Sequence, residues 1–464
     1  MRAILDHPDT SILAAAAALL AATLACGLVA PPVFGLLLAA AVVGGIAFLA
    51  LRFPVPFCVV WLTVAGMSLE MALGDVLGGD AYQPIIAVVK GSEIGLALLC
   101  AVRYGPKLDL LCPAWAFLAM LAAGFVHGLY PGLTTWESLR SAIGSITPFA
   151  FCFCRVPRSW PDAIIRATKW IPVVAVLACL PLTAAGIRPL FVESGGARLA
   201  GLGHPAFLGN VCLPAIYACL IQLYREGRRG DLMLLVANGL ILLLTGARTP
   251  VFFAVAVSAL CLVSVRSTAF AVRDRLVLVL AVLALLPVLA LLAGVLGDVR
   301  LFKVVATEAT NLSGRGRLWP KFEEAASLSP WFGWGIGSAN SVIPRQSDIV
   351  QLMHTWAAHN EYLRIGVEGG MCGSALLVGL FAGWVFVHTR PLCPSDRRIM
   401  RLVFVAYAGL ATTDNVLIST PACVMFAFAT AVFARGERDA HWGQPWGRPW
   451  GQPRIALPGS RLVA

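Results

Sequence analysis

Charge is what this sequence has least of. Only 13% of its 464 residues are Asp, Glu, Lys or Arg, whereas 59% are apolar and the mean hydropathy is +0.82. A water-soluble domain carries about 25% charge, so a soluble enzyme is excluded. Metal-ligand spacings are also missing, and the outer loops assigned below hold no Asp/Glu cluster fit for a divalent ion. The 13 cysteines are an odd number, most of them inside apolar runs, and none lies between Val299 and Met371. They read as small core residues and not as a disulfide or metal framework. No internal repeat is present, which argues against a transporter built from inverted halves.

What remains is a series of apolar runs, most of them long enough to cross a hydrocarbon core of about 30 Å as a helix. Spans are predicted at 12–30, 33–51, 54–70, 83–101, 110–130, 141–154, 170–186, 205–223, 231–246, 249–265, 276–297, 365–387, 402–417 and 419–434. Span 141–154 is short, and 402–417 carries Asp414 and Asn415. The expected fold is an all-α, polytopic helical membrane protein with about 12–14 spans and one long loop. The first span is followed almost at once by a second, with no small-residue cleavage site, so it reads as a retained helix.

A net charge of +11 in a soluble chain would suggest nucleic acid; here it reports orientation. With the loops assigned alternately and both ends inside, 23 of the 35 basic residues fall on the cytoplasmic side. Six of the ten outer ones sit in a single long loop, where the charge rule has least force. Both termini are therefore expected in the cytoplasm. The tail from Arg435 repeats Trp-Gly-x-Pro three times and reads as a disordered, surface-associating segment (435–464).

The outer loop, 298–361, contains Gly-rich turns at 313–319 and 331–340 around a predicted amphipathic helix at 318–328. Loops this long with local structure tend to be functional. Several polar groups near the membrane need a reason. Lys90 and Glu93, three apart, read as a structural ion pair. Arg248, in TGARTP, is either an interfacial anchor or a guanidinium aimed into an outer cavity. Arg198 lies outside with His204 just beyond it. The densest group is HTWAAHNEYLRIGVEGG at 354–370, where His359 marks the re-entry into the membrane and Asn360, Glu361, Arg364 and Glu368 follow. An imidazole at that boundary suits proton transfer, and it suits a helix cap equally. Outer arginines beside such a base match one chemistry in particular. Transfer from a lipid-linked sugar pyrophosphate releases a charged leaving group that guanidinium groups can neutralise.

Three stretches, in order, carry a family pattern. TGARTPVFF resembles its Ser/Thr-Gly-x-Arg turn. SGRGRLW followed by SPWFGWGIGSAN resembles its Arg-x-x-x-Trp and Gly-x-Gly run, and HNEYLRIGVEGG resembles its His-Asn-x-x-Leu segment with a later Glu-x-Gly. Together they resemble the O-antigen polymerase/ligase family of bacterial membrane glycosyltransferases. The likeness covers about 205–385, with ARLAGLGHPAFLGN before it, so 1–204 is taken as N-terminal helices and 205–434 as the family region. The resemblance implies a GT-C-like, metal-independent transferase with no cofactor, in the bacterial inner membrane with its site facing the periplasm. Its donor would be an undecaprenyl-pyrophosphate-linked saccharide and its acceptor another saccharide or lipid A core. Other polysaccharide assembly proteins would be possible partners, and nucleic acid none. Carried over by position, the turn arginine is Arg248, the loop arginine Arg315 with Arg317 as an extra, and the histidine His359. Glu361 or Glu368 is a lesser base or an orienter, and Arg198 an additional pyrophosphate contact. A polymerase of exopolysaccharide or O-antigen is favoured over a ligase, and a lipid-linked saccharide transporter is the reading from another class.

Overall fold

A computed structural model describes residues 44–77, 82–193, 196–271, 273–275, 315–353 and 355–441. Within them the regular structure is helical, apart from an isolated bridge between Pro106 and Cys154 and a two-stranded antiparallel hairpin, β1 (Phe191–Glu193) with β2 (Ala197–Leu199). The N-terminal helices are α1 (Gly44–Arg52), α2 (Pro54–Gly66), α3 (Leu69–Leu77), α4 (Tyr82–Tyr104), α5 (Ala114–His127), α6 (Thr135–Ile146) and α7 (Trp160–Ala184). After the hairpin come α8 (Pro205–Glu226), α9 (Arg229–Leu244) and α10 (Arg248–Ser264), then α11 (Trp319–Ser327) and α12 (Asp348–Met353). The described chain ends with α13 (Glu361–Thr389), α14 (Pro394–Leu410) and α15 (Thr420–His441).

Four helices, α4, α7, α8 and α13, are long and apolar enough to cross a membrane, and α1 with α2 forms a fifth candidate bent by 112°. The protein is a polytopic helical membrane protein, as its composition requires. Helix α8 is the centre: 83% of its apolar window is buried, against 22% for α4 and α13, so α8 is wrapped by protein while the other two keep broad faces for lipid. Helices α7, α9, α10, α14 and α15 surround it. Trp384, Phe404, Phe426 and Phe433 interlock between α13, α14 and α15 with ring centroids 5.0–6.1 Å apart.

Local chemistry sets the helix ends. Thr134 and Glu137 form a reciprocal capping box at the start of α6. Asn360 caps α13 by accepting from the Tyr362 and Leu363 amides. Helix α8 stops at Gly227, whose φ of 66° suits the left-handed C-cap. The described cysteines are free thiols, all buried except Cys372, in keeping with a core role.

Several expectations need correction. Span 141–154 is the end of α6 followed by a 3-10 turn over Thr147–Phe153, where Pro148 lacks the amide that an α-helix needs. Span 402–417 stops at Leu410, and Asp414 and Asn415 stand on the loop before α15. Lys90 and Glu93 do not form an ion pair: the Lys90 ammonium donates to the carbonyls of Ile418 (2.7 Å) and Gly144 (3.3 Å), and the Glu93 carboxylate is fully buried. Residues 435–441 are the last turns of α15, with Arg435 and Arg438 in ion pairs; the rest of the expected tail lies outside the described residues. So do spans 12–30 and 276–297, part of 33–51, and 298–314 of the long loop.

Two polar assemblies lie at opposite ends of α13, which is broken at Gly370. At the Thr389 end, His388 bonds Asp109 (2.8 Å), Lys107 pairs with Glu437 (2.8 Å), and Asp396 holds Arg225 and Arg435 (3.3 and 2.9 Å). The other end carries the motif residues.

Candidate active site

His359 is the residue before the cap of α13, and its φ of 46° places a non-glycine residue in the left-handed region. Such a conformation costs about 1–3 kcal/mol and persists only where the surroundings hold it. Asn360 caps the helix that follows, and the Glu361 amide donates to the Ala411 carbonyl at 2.8 Å. That bond ties the histidine segment to the loop after α14.

The same loop supplies the partner of the imidazole. Nδ1 of His359 lies 3.4 Å from Oδ1 of Asp414, and Nε2 lies 3.0 Å from the Thr355 hydroxyl. Asp414 is itself oriented by Asn210 of α8, whose amide donates at 2.8 Å, and by the Asn415 amide at 2.9 Å. Burial pushes the Asp414 carboxyl up, yet the bond to His359, the charge that ring can carry and the bond from Asn210 outweigh it and hold the group below the usual carboxylate value. The result is a carboxylate and an imidazole in line, with the far nitrogen facing a hydroxyl. This arrangement can orient a base and stabilise the charge it acquires.

The Ser/Thr-Gly-x-Arg turn abuts this centre. Helix α9 ends at Leu244, Gly246 turns the chain at φ 63°, and α10 begins with Arg248, whose side chain is exposed. Gly209 of α8 packs so closely here that a Cβ on it would lie 2.8 Å from Ala247. Arg198, expected to contact pyrophosphate, is 7% exposed and spends Nε on the Thr245 carbonyl at 2.8 Å, fastening β2 to the turn. His204 caps α8 by accepting from the Ala206 amide. Desolvation, and after it the charge of Arg198, push His204 down to about 4.

Arg315 and Arg317 occupy a 3-10 turn directly before Trp319, and Arg317 is exposed. The Trp319 indole donates to the Ala358 carbonyl at 3.0 Å, so the arginine turn is pinned to the residue next to His359. Leu318, Phe322 and Ala325 pack with Ala358 and Val367 into a small core of their own, which seats α11 on α13.

Glu368, expected as an alternative base or orienter, faces inward at 1% exposure. One oxygen accepts from Arg364 (2.6 Å) and the other from the Gly337 amide (3.1 Å), while Arg364 also pairs with Glu361. The Glu368 and Val367 carbonyls accept from the amides of Gly335 and Trp334 at 2.9 Å. Glu368 thus holds the Gly-rich run against α13, and Asp414 stands where an orienter of His359 was expected. Sequence reasoning missed Asp414, Asn210 and Thr355. The one available sign was the polar Asp-Asn pair at the end of an apolar run.

The residues expected to act together therefore converge at one end of the bundle: His359, the turn before Arg248, the turn of Arg315 and Arg317, and Arg198 beneath. No curated protein matches the chain. Residues 233–378, from α9 into α13, match the family model described as O-Antigen ligase.

Proposed function

We propose that the protein transfers a saccharide from an undecaprenyl-pyrophosphate carrier to a sugar hydroxyl at the periplasmic face of the inner membrane, polymerising repeat units of an exopolysaccharide or O-antigen. The observation that carries this reading is the Asp414–His359 pair, set beside the arginine turn through the bond from Trp319 to Ala358. With Nδ1 protonated toward Asp414, the Nε2 lone pair faces the Thr355 hydroxyl; the acceptor hydroxyl takes the place of Thr355 and gives its proton to Nε2. The acceptor oxygen bonds to the anomeric carbon as the bond to the pyrophosphate oxygen breaks. Direct displacement inverts that carbon, and the lipid pyrophosphate leaves. Arg248, Arg315 and Arg317 neutralise its charge without a metal ion. Arg198 acts beneath them by holding the turn.

The orientation is supported by the paired arginines and His388 at the far end of α13, on segments that the charge rule places in the cytoplasm. A second reading, ligation of the finished chain to lipid A core, is favoured by the description of the matching family. The test is an assay of the full protein in liposomes with a lipid-pyrophosphate-linked repeat unit and no added metal. A ladder of products, lost in His359→Ala and in Arg248→Ala, is expected. A single capped product that needs added lipid A core would make it a ligase. Transfer unchanged in His359→Ala would overturn the mechanism.

A further inference from the structure

Beside the site, between α6 and the segment that follows the Gly-rich run, lies a cavity of about 440 Å³. That is within the range of about 300–1,000 Å³ found for small-ligand pockets. Its walls include Gln83, Glu137, Arg140, Asn340, Arg345 and Trp356. Arg345 lies over the Trp356 ring at 4.9 Å, and Arg140 donates to the Gln83 side-chain oxygen, a neutral partner. The only carboxylate among these six, Glu137, is engaged by the Thr134 amide and hydroxyl at 3.0 and 2.8 Å in the α6 cap. Two guanidinium groups face the cavity, neither within ion-pair distance of a described carboxylate, and with Glu137 as their one anionic neighbour in the lining they leave it net positive.

The cavity and the reacting residue share a short stretch of chain. Trp356 stands three residues before His359, a reach of about 10 Å at most, and Thr355 between them holds the imidazole. Gly337 lines the cavity while its amide bonds Glu368. An aromatic face, side-chain amides for hydroxyl groups and two guanidinium groups set against one carboxylate, a net positive lining, suit a sugar that carries an anionic substituent.

We propose that this cavity is a saccharide subsite adjoining His359, and that it selects a carboxylate-bearing sugar near the reacting end of the chain. That the ligand is a saccharide rests on the transferase reading above. Full-length protein in nanodiscs is titrated calorimetrically with tetragalacturonate, with maltotetraose as the neutral counterpart and acetate as the bare anion. Tetragalacturonate should bind at least tenfold more tightly than either, and the double variant Arg140→Gln/Arg345→Gln, with an unchanged melting temperature, should lose at least tenfold. His359→Ala should bind as the parent does while losing transfer. Equal binding of neutral and acidic tetrasaccharides, no binding, binding of acetate alone, or an unaffected double variant would each overturn the subsite. Transfer that persists without tetragalacturonate binding removes this inference and leaves the proposed reaction. Selective binding in a protein that transfers from no lipid-linked donor does the reverse.

Discussion

Gly333 and Gly370 meet backbone to backbone. A Cβ on Gly333 would lie 2.5 Å from the Glu368 carbonyl carbon and the Gly369 nitrogen, and one on Gly370 would lie 2.7 Å from the Gly333 nitrogen. Both have positive φ, 67° and 57°, and Gly370 breaks the regular geometry of α13 at the point where the Gly-rich run docks. Gly370→Ala and Gly333→Ala should each destabilise the protein by at least about 2 kcal/mol and abolish transfer. Thermal unfolding in detergent measures the first effect and the product ladder the second. A fully stable Gly370→Ala protein would mean that the contact is not obligatory.

Asp414→Asn should lower kcat about 100-fold, within the usual range for a general-base system, with normal abundance in the membrane. Because the Asp414 carboxyl is held below its ordinary value near 3.9, it stays ionised across the neutral range. Its contribution to stability is present above that ordinary value and is lost as pH falls through the lower, folded one. Protonation of Asp414 itself therefore adds no pH dependence to the deficit between pH 6 and pH 8. A kcat equal to that of the parent would remove Asp414 from the reacting centre.

Arg364 is a buried cation shared by two buried carboxylates, Glu361 and Glu368. Arg364→Met should cost about 3–5 kcal/mol, because both anions are left without compensation. Glu368→Gln, which keeps an acceptor for the Gly337 amide, should cost less and should retain measurable transfer. Melting temperatures of the two variants decide the order. Complete loss of transfer in a stably folded Glu368→Gln would return Glu368 to the list of bases.

Lys90 reaches from α4 to the Ile418 carbonyl and so anchors the loop that presents Asp414. Lys90→Met removes a charged hydrogen bond worth about 1.5–3 kcal/mol and should lower the melting temperature. The effect on kcat should exceed that on KM, since the displaced loop carries the partner of the base and not the substrate contacts. A variant changed only in KM would contradict this.

The membrane class, the positions of α4, α8 and α13, the second half of α7 and the helix at 319–327 were legible because hydropathy and helical period are local properties of the chain; the first ten residues of α7, Trp160–Lys169, which carry Asp162, Arg166 and Lys169, were not. So were the three motifs, whose glycines and arginines lie close together in sequence. The Asp414–His359 pair was not, since 55 residues separate its members and no periodicity links them. Lys90 illustrates the same limit. Its neighbour Glu93 was the obvious partner by spacing, yet the ammonium bonds a carbonyl 328 residues away. Arg198 and Glu368 were visible as polar residues near the site. Whether each faced substrate or interior depended on how the turn and the Gly-rich run folded over them.

The reacting centre draws Asn210, Thr355, His359 and Asp414 from three separate stretches of chain, the last of them among the final helices described. During synthesis, the helices that carry the arginine turns and His359 emerge from the ribosome before Asp414 does. A nascent chain halted after α13 and before the loop that follows α14 would hold Arg198, Arg248, Arg315, Arg317 and His359, but not the Asp414 carboxylate that orients the histidine. On the proposed mechanism, competence for transfer would therefore come late in biogenesis, with insertion of the last helical pair.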